Sequence, residues 1–248
     1  MVEKMNYWIN GINRNTMLHI YLPDNYYQTN ERYPVMYMFD GQNLFDDNDA
    51  TYGKSWGIKA FLDAYDKGFI VGGIECDHNG NERLNEYCPY DIKSRAFGDL
   101  EGRGSIFMEW VIKDLKPFID REYRTYSFRE ATGIAGSSMG GLMAFYSVLH
   151  YNHIFSKAAC LSPSFMICQR QLDEEFSTNY ISPDTRIYMS FGTNEFKNTK
   201  YRNFLLNHYN QLILNNNAYA YVNVIKGGKH NEASWEKENK TYYDFLWK

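Results

Sequence analysis

The sequence lacks any apolar run long enough to cross a bilayer, and its first residues lack the basic start, apolar middle and cleavage site of a secretory signal. We therefore expect a soluble, cytoplasmic protein with no membrane partner. It also lacks any cluster of lysine or arginine, and its formal net charge is −4. Such a charge pattern offers no electrostatic basis for binding nucleic acid.

Cysteine is scarce, with four residues in 248. They form no C-x-x-C pair and have no histidine at zinc spacing, so we expect buried or partly buried free thiols: Cys76, Cys88, Cys160 and Cys168. The acidic stretch DDNDATYG, residues 46–53, lacks the glycine and glutamate that a calcium loop requires. The sequence predicts neither a metal nor a cofactor.

Short runs rich in β-branched and aromatic residues alternate with longer segments of helical periodicity. Strands are predicted from Met17, Pro34, Phe69, Ala131, Lys157, Arg186 and Ala220, and helices include those from Ile106 and Tyr201. This alternation predicts a single α/β domain over residues 1–248, with a mostly parallel central sheet and helices on both faces. The polar, turn-rich segment 77–104 is predicted to form the rim of a cleft.

Two adjacent serines lie in the stretch ATGIAGSSMGGLMAFYSVL, residues 131–149. Ser138 has Gly136 two residues before it and Gly140 two residues after it, whereas Ser137 has glycine at neither position. A G-x-S-x-G pattern between a strand and a helix is typical of a nucleophile elbow, which exposes a catalytic serine on a sharp turn. Ser138 is therefore the predicted nucleophile, and the alternative is a tight helix-entry turn that needs small residues.

A serine nucleophile needs a base that accepts its proton. His230 follows the last predicted strand, and the base comes last in the chain order that accompanies this kind of elbow. His150 lies about 18 Å along the same helix as Ser138, which is beyond hydrogen-bond reach. His19 and His208 lie within a predicted strand and a predicted helix, where structural or surface roles are expected.

The third catalytic group is an acid that orients the imidazole. Glu195 lies between the serine and the histidine and directly follows a predicted strand, whereas Asp184 precedes that strand and is the second choice. An oxyanion hole needs two amides, which we assign to Met139 and to Gln42 in the loop after the strand PVMYMF. Gly41 is the alternative donor and is expected to let the backbone approach the substrate.

Loop residues beside these groups are candidates for the walls of a substrate pocket: Gly41, Trp56, Arg83, Tyr87, Phe165 and Trp235. Arg83 could pair with a carboxylate of the substrate. A surface ion pair with Glu82 or Glu86 is an equally good interpretation.

Seven motifs in register resemble the esterase family of α/β hydrolases, which includes S-formylglutathione hydrolases, feruloyl and acetyl-xylan esterases, siderophore trilactone esterases and mycolyl transferases. They are YPVMYMFDGQNLFDD, NEYCPY, LKPFIDREYRT, GIAGSSMGG, LSPSF, GTNE and GGKHNEASW. The resemblance implies an α/β-hydrolase fold and an acyl-enzyme mechanism, with Ser138, Glu195 and His230 as the triad and DGQN as the oxyanion loop. Family members often carry aspartate where Glu195 stands.

The expected function is hydrolysis of small or carbohydrate-linked carboxylic esters, such as acetyl or feruloyl esters. Two alternatives stay open, namely an acyltransferase of the same family and a ligand-binding domain that keeps the fold without catalysis.

Overall fold

The central sheet has eight strands in the computed structural model, which describes residues 1–93, 98–195 and 199–248. The strands are β1 (Val2–Ile9), β2 (Arg14–Tyr21), β3 (Val35–Phe39), β4 (Ile70–Ile74), β5 (Thr132–Ser137), β6 (Lys157–Leu161), β7 (Arg186–Gly192) and β8 (Tyr219–Ile225). Their order is β1-β2-β4-β3-β5-β6-β7-β8. β2 pairs antiparallel with β1 and with β4, and every later pairing is parallel. The carboxyl ends of seven strands, all but β2, therefore share one edge.

Helices cover both faces of this sheet. They are α1 (Ile58–Asp63), α2 (Glu82–Glu86), α3 (Gly104–Trp110), α4 (Lys116–Glu122), α5 (Met139–His150), α6 (Gln169–Thr178), α7 (Thr199–Asn215), α8 (Glu232–Trp235) and α9 (Asn239–Leu246). A π-helical turn, Val111–Leu115, joins α3 to α4 just before Pro117. Proline has no backbone N–H and crowds the preceding turn, so a wider turn at this point accommodates it.

The alternation of side chains along β3 divides the core into two layers. Tyr37 and Phe39 belong to a cluster with residues of α3, α5, α6 and α7. Met36 and Met38 point to the other face, where α1, α8 and α9 pack. The predicted fold class, a mostly parallel sheet with helices on both faces, is confirmed.

The predicted strands each overlap a strand of the sheet, but β1 was missed. Its side chains are mostly half-exposed or exposed, because it lies at the edge and pairs only with β2. An edge strand of this kind gives a weak apolar signal in the sequence. The prediction of free, buried cysteines is confirmed.

Part of the predicted rim, residues 94–97, lies outside the described residues. Within the described ranges, no helix combines the length and apolar character that a bilayer crossing requires.

Candidate active site

Ser138 stands on the sharp turn between β5 and α5. Its φ of 57° and ψ of −118° are uncommon for a residue with a side chain. A Cβ added at Gly136 would lie 2.6 Å from the backbone carbonyl of Gly140, so the turn closes only with glycine there. The glycine pattern that singled out Ser138 thus has a steric cause. The first amide of α5, that of Met139, follows the serine directly.

The loops that follow β7 and β8 touch each other at the carboxyl edge. Gly192 ends β7, and a Cβ at this position would overlap the carbonyl group of Gly228. The amide of Asn194 donates to the carbonyl oxygen of Gly228 at 2.9 Å. This contact brings Glu195 beside His230, whose Nδ1 lies 3.0 Å from Glu195 Oε2.

The carboxylate of Glu195 is buried and fully surrounded by donors. Oε1 accepts from Ser162 Oγ and from the amide of Gly192, both at 2.5 Å, and Oε2 also accepts from Arg202 at 3.2 Å. Its side chain is 1% exposed. Burial alone would raise the pKa of Glu195, but the hydrogen bonds from His230, Ser162 and Gly192 outweigh it and lower the pKa. The acid is therefore ionised at neutral pH.

Sequence reasoning missed Ser162 and Arg202. Ser162 lies at the end of β6 within the LSPSF motif, so its place at the carboxyl edge was a usable signal. Arg202 lies on α7, seven residues after Glu195, and nothing in the sequence pairs it with that acid. Trp235 extends the network, because its Nε1 donates to Ser162 Oγ at 2.9 Å and its ring packs edge-on against the imidazole of His230.

Asp184, the second choice for the acid, lies at the opposite edge of the sheet. It precedes β7 and accepts from Arg129 and from Ser182 Oγ, both at 2.5 Å. The structure does not bring it to His230. Four other histidine rings pair with carboxylates: His19 and His78 with Glu75, His150 with Glu175 and His208 with Asp173.

The loop after β3 carries Gln42 in a 3-10 turn, Gly41–Asn43, that follows a left-handed residue, Asp40. Within the described ranges, the amides of Gln42 and Met139 donate to no backbone carbonyl. A Cβ at Gly41 would lie 2.7 Å from the backbone of Gly73 in β4, so glycine at this position permits packing of the loop on the sheet. Its expected role in the approach of the substrate stays a prediction.

Arg83 fixes this loop from outside. Its Nε and Nη2 donate to the two oxygens of Asp40 at 2.6 and 2.7 Å, a bidentate pair, and its guanidinium lies over the ring of Tyr87. The ion pair expected with the neighbouring Glu82 or Glu86 is thus corrected to Asp40, whereas pairing of Arg83 with a substrate carboxylate stays a prediction. Tyr87 Oη accepts from the amide of Asp40 at 3.2 Å.

Two cavities open beside Ser138, and both are lined by Ser138 and His230. The polar cavity, of about 590 Å³, is lined by Asp40, Gln42, Asn43, Thr51, Tyr52, Cys76, Asp77, His78, Gly80, Arg83, Ser137, Ser138, His230, Asn231, Glu232 and Trp235. The apolar cavity, of about 400 Å³, is lined by Leu84, Leu100, Ser138, Met139, Ser164, Met166, Ile167, Tyr201, Arg202 and His230. Residues from the described part of segment 77–104 thus line both.

Three of the predicted pocket walls lie in the core instead. Trp56, Tyr87 and Phe165 are 1% exposed or less and line neither cavity. Trp56 packs on Trp235, and Phe165 packs on rings of α5 and α7. Large aromatic side chains gain more by filling the core than by facing a wet cleft.

A first prediction concerns the glycine contact that joins the two loops. Gly192→Ala should lower the free energy of unfolding by about 1–3 kcal/mol, since the new methyl overlaps Gly228. By displacing Glu195 it should also lower kcat about 100-fold. Thermal unfolding and ester hydrolysis measure the two effects.

Gly227→Ala is the matched control, because Gly227 has a φ of 75° but open space around its Cα. It should cost about 1 kcal/mol of backbone strain and keep most of the activity. Equal kcat values for the two variants would contradict the prediction.

A second prediction concerns Glu238, a buried carboxyl that accepts from Tyr188 Oη at 2.6 Å. Burial, with the negative charge of Glu195, raises the pKa of Glu238 from 4.5 to about 7. Between a pH of about 4.5 and about 7, the folded protein keeps the proton on Glu238, whereas the unfolded chain releases it. The free energy of unfolding therefore falls as the pH rises through this range. The loss is about 3 kcal/mol at most.

Glu238→Gln has no such proton to lose. Its melting temperature should therefore fall less than that of the wild type between pH values of about 5.5 and 8, measured by circular dichroism. The same pH slope in both proteins would show that Glu238 titrates normally.

The fold and the site define a class: an α/β hydrolase that presents a serine at a nucleophile elbow. Residues 9–238 match the profile of the family described as "Putative esterase". The chain belongs to this family and is a serine esterase. Membership of this family supports small-molecule esters as substrates of the chain. The predicted resemblance to the family is confirmed.

The sequence identity to individual relatives is low. The chain is 27% identical over 179 residues to the uncharacterized protein YbbA of Bacillus subtilis, covering 71% of this chain and 67% of YbbA. An IroE-like serine hydrolase from Shewanella oneidensis has the same fold, with a TM-score of 0.77 and 19% identity over 99% of this chain and 79% of that one. The enterobactin esterase FES of Shigella flexneri superposes with a TM-score of 0.76 and 18% identity, over 100% of this chain and 58% of its own.

Proposed function

We propose that the protein hydrolyses carboxylic esters through an acyl-enzyme, with Ser138 as nucleophile, His230 as general base and Glu195 as the acid that orients the imidazole. The observation that carries this proposal is the 3.0 Å contact between His230 Nδ1 and the buried, ionised Glu195. His230 and Ser138 also line the same two cavities, as a base and its nucleophile must.

In the first half of the reaction, Ser138 Oγ attacks the ester carbonyl carbon and its proton passes to His230. Collapse of the tetrahedral intermediate breaks the bond to the alkoxy oxygen. His230 returns the proton to that oxygen, and the alcohol leaves. In the second half, water loses a proton to His230 and attacks the acyl carbon. Collapse of this second tetrahedral intermediate breaks the bond to Ser138 Oγ, His230 returns the proton to Oγ, and the carboxylic acid leaves.

The negative oxygen of each tetrahedral intermediate needs donors in place before it forms. The amides of Met139 and Gln42 fit this role, because neither donates to a backbone carbonyl in the described chain and both residues line the cavities at Ser138. Asp40, held by Arg83, fixes the backbone just before Gln42. Loss of one such donor costs about 3 kcal/mol in comparable sites.

We propose small or carbohydrate-linked esters, with acetyl or feruloyl groups among the acyl parts, as substrates. The two cavities, of about 590 and 400 Å³, suit a small ester with one group on each side of the serine. Proteins of similar fold include a ferulic acid esterase, which supports an aromatic acyl group as one candidate. The expected single domain, cytoplasmic location and independence of metals or cofactors stay predictions.

The test is a hydrolysis panel of p-nitrophenyl acyl esters, acetylated sugars, methyl ferulate and S-formylglutathione, with Ser138→Ala as the blank. A fluorophosphonate should label the wild type covalently and leave Ser138→Ala unlabelled. Labelling without turnover of any ester would favour a different acyl acceptor. Added alcohols in the same assay, followed by product analysis, would then detect acyl transfer. No labelling at all would support a non-catalytic domain.

A further inference from the structure

The two cavities beside Ser138 differ sharply in chemistry. The apolar cavity has walls of Leu84, Leu100, Met166 and Ile167, whereas the polar cavity is walled largely by charged and amide side chains. Since the reacting carbonyl must lie at Ser138, the two parts of an ester extend into different surroundings. The substrate is thereby expected to have one apolar and one polar part.

The charges of the polar cavity do not cancel. Asp40 is neutralised by its bidentate pair with Arg83, and Asp77 lies 3.8 Å from Arg14. Glu232 is different: within the described ranges no lysine or arginine lies within ion-pair distance of it. The cavity is therefore net negative, and an anionic group would be repelled from it.

Glu232 is also poorly satisfied by the protein. The residue is 6% exposed, and its carboxylate accepts from Asn43 Nδ2 at a long 3.4 Å and from its own backbone amide. Burial raises the pKa of Glu232, which means that the protein alone stabilises its charged form poorly. A ligand that donates a hydrogen bond would supply what is missing.

The position of Glu232 indicates which part of the ester it meets. It stands two residues after His230, the group that returns a proton to the leaving alcohol. Of the two amides assigned to the carbonyl oxygen, that of Gln42 belongs to the polar cavity and that of Met139 to the apolar one, so the carbonyl lies between the two cavities. The acyl part leaves as a carboxylate, which a net negative cavity disfavours, so the alcohol part fits the polar cavity and the acyl part fits the apolar one.

Resting on the proposed ester hydrolysis, we propose that Glu232 is a specificity-determining residue that binds the alcohol part of the substrate. It selects alcohols that carry hydroxyl donors or a cationic group and disfavours anionic ones, while the apolar cavity takes an apolar acyl group. The substrates are thus amphiphilic esters whose alcohol is hydroxylated or positively charged.

Four butyrate esters with a common acyl chain test this assignment: ethyl butyrate, glycerol monobutyrate, butyrylcholine and the butyrate ester of glycolate. In the wild type, kcat/KM for the glycerol or the choline ester should exceed that for ethyl butyrate, and the glycolate ester should be the poorest. In Glu232→Gln, the advantage over ethyl butyrate should fall about tenfold, because a charged acceptor has become neutral. In the same variant, kcat/KM for the glycolate ester should move closer to that for ethyl butyrate.

Glu236→Gln is the matched control, since Glu236 pairs with Lys54 and lines neither cavity. It should keep the wild-type ratios. If kcat/KM exceeds that for ethyl butyrate with the glycerol ester alone, the site recognises hydroxyl groups. If it does so with the choline ester alone, the site recognises positive charge. The assignment is overturned if Glu232→Gln changes all four rates by one factor, or if the wild type hydrolyses the glycolate ester as fast as ethyl butyrate. A wild type inactive on all four esters and unreactive to fluorophosphonate would instead overturn ester hydrolysis itself.

Discussion

Ser138→Ala should lower kcat for a p-nitrophenyl ester by about 10⁶-fold, the largest effect expected for any substitution in this protein. The alanine has no hydroxyl to form the acyl-enzyme, while the amides assigned to the oxyanion hole stay in place. Steady-state kinetics with active-site titration measures the loss. Intact-mass spectrometry after a short pulse of substrate should find an acylated species only in the wild type.

Ser137→Ala is the natural control, because Ser137 is the adjacent serine, ends β5 and also lines the polar cavity. It should keep kcat within about tenfold, since it removes no group from the proposed proton path. A variant at 137 that loses as much activity as the one at 138 would show that the elbow needs small polar residues for its shape alone.

The same measurement extends to His230→Ala, which should lose about as much activity as Ser138→Ala. Groups that act as one unit are not additive, so the double variant should be little worse than either single one. Additive losses in the double variant would mean that the two side chains act in separate steps.

The second large effect is expected for Glu195→Gln, which should lower kcat by about 10⁴-fold. A glutamine at this position has nearly the same shape but carries an amide. That amide can donate to His230 Nδ1 and hold the imidazole in the wrong tautomer. The loss should occur in kcat with little change in KM, because the side chain of Glu195 is 1% exposed and lines neither cavity.

Asp184→Asn, a change of the same kind at the other candidate acid, should leave kcat nearly unchanged, since Asp184 pairs with Arg129 at the far edge of the sheet. It should reduce stability by about 1 kcal/mol or less, as its carboxylate is half-exposed. The reverse result, with activity lost at 184 and kept at 195, would exclude Glu195 as the orienting acid.

Much of the sheet could be predicted from the sequence, because each buried strand is a short apolar run between turn residues. The nucleophile elbow could also be predicted from the sequence, because the two positions where a side chain would be crowded, Gly136 and Gly140, each lie two residues from Ser138. The wall residues Trp56, Tyr87 and Phe165 could not be judged in this way. Their burial depends on helices distant in sequence that fill the space above them.

The sequence by itself determined the alternation of strands and helices, the strand-turn-helix at Ser138 and the chain order of serine, acid and histidine, because these are local or ordinal properties. Only the tertiary structure decided that Glu195 rather than Asp184 meets His230, and that Asp40 holds Arg83. Only it placed Ser162 and Arg202 around the acid and left Glu232 facing the polar cavity. The reason is that these contacts join loops from different strands at one sheet edge, and short-range patterns carry no information on which side chains meet there.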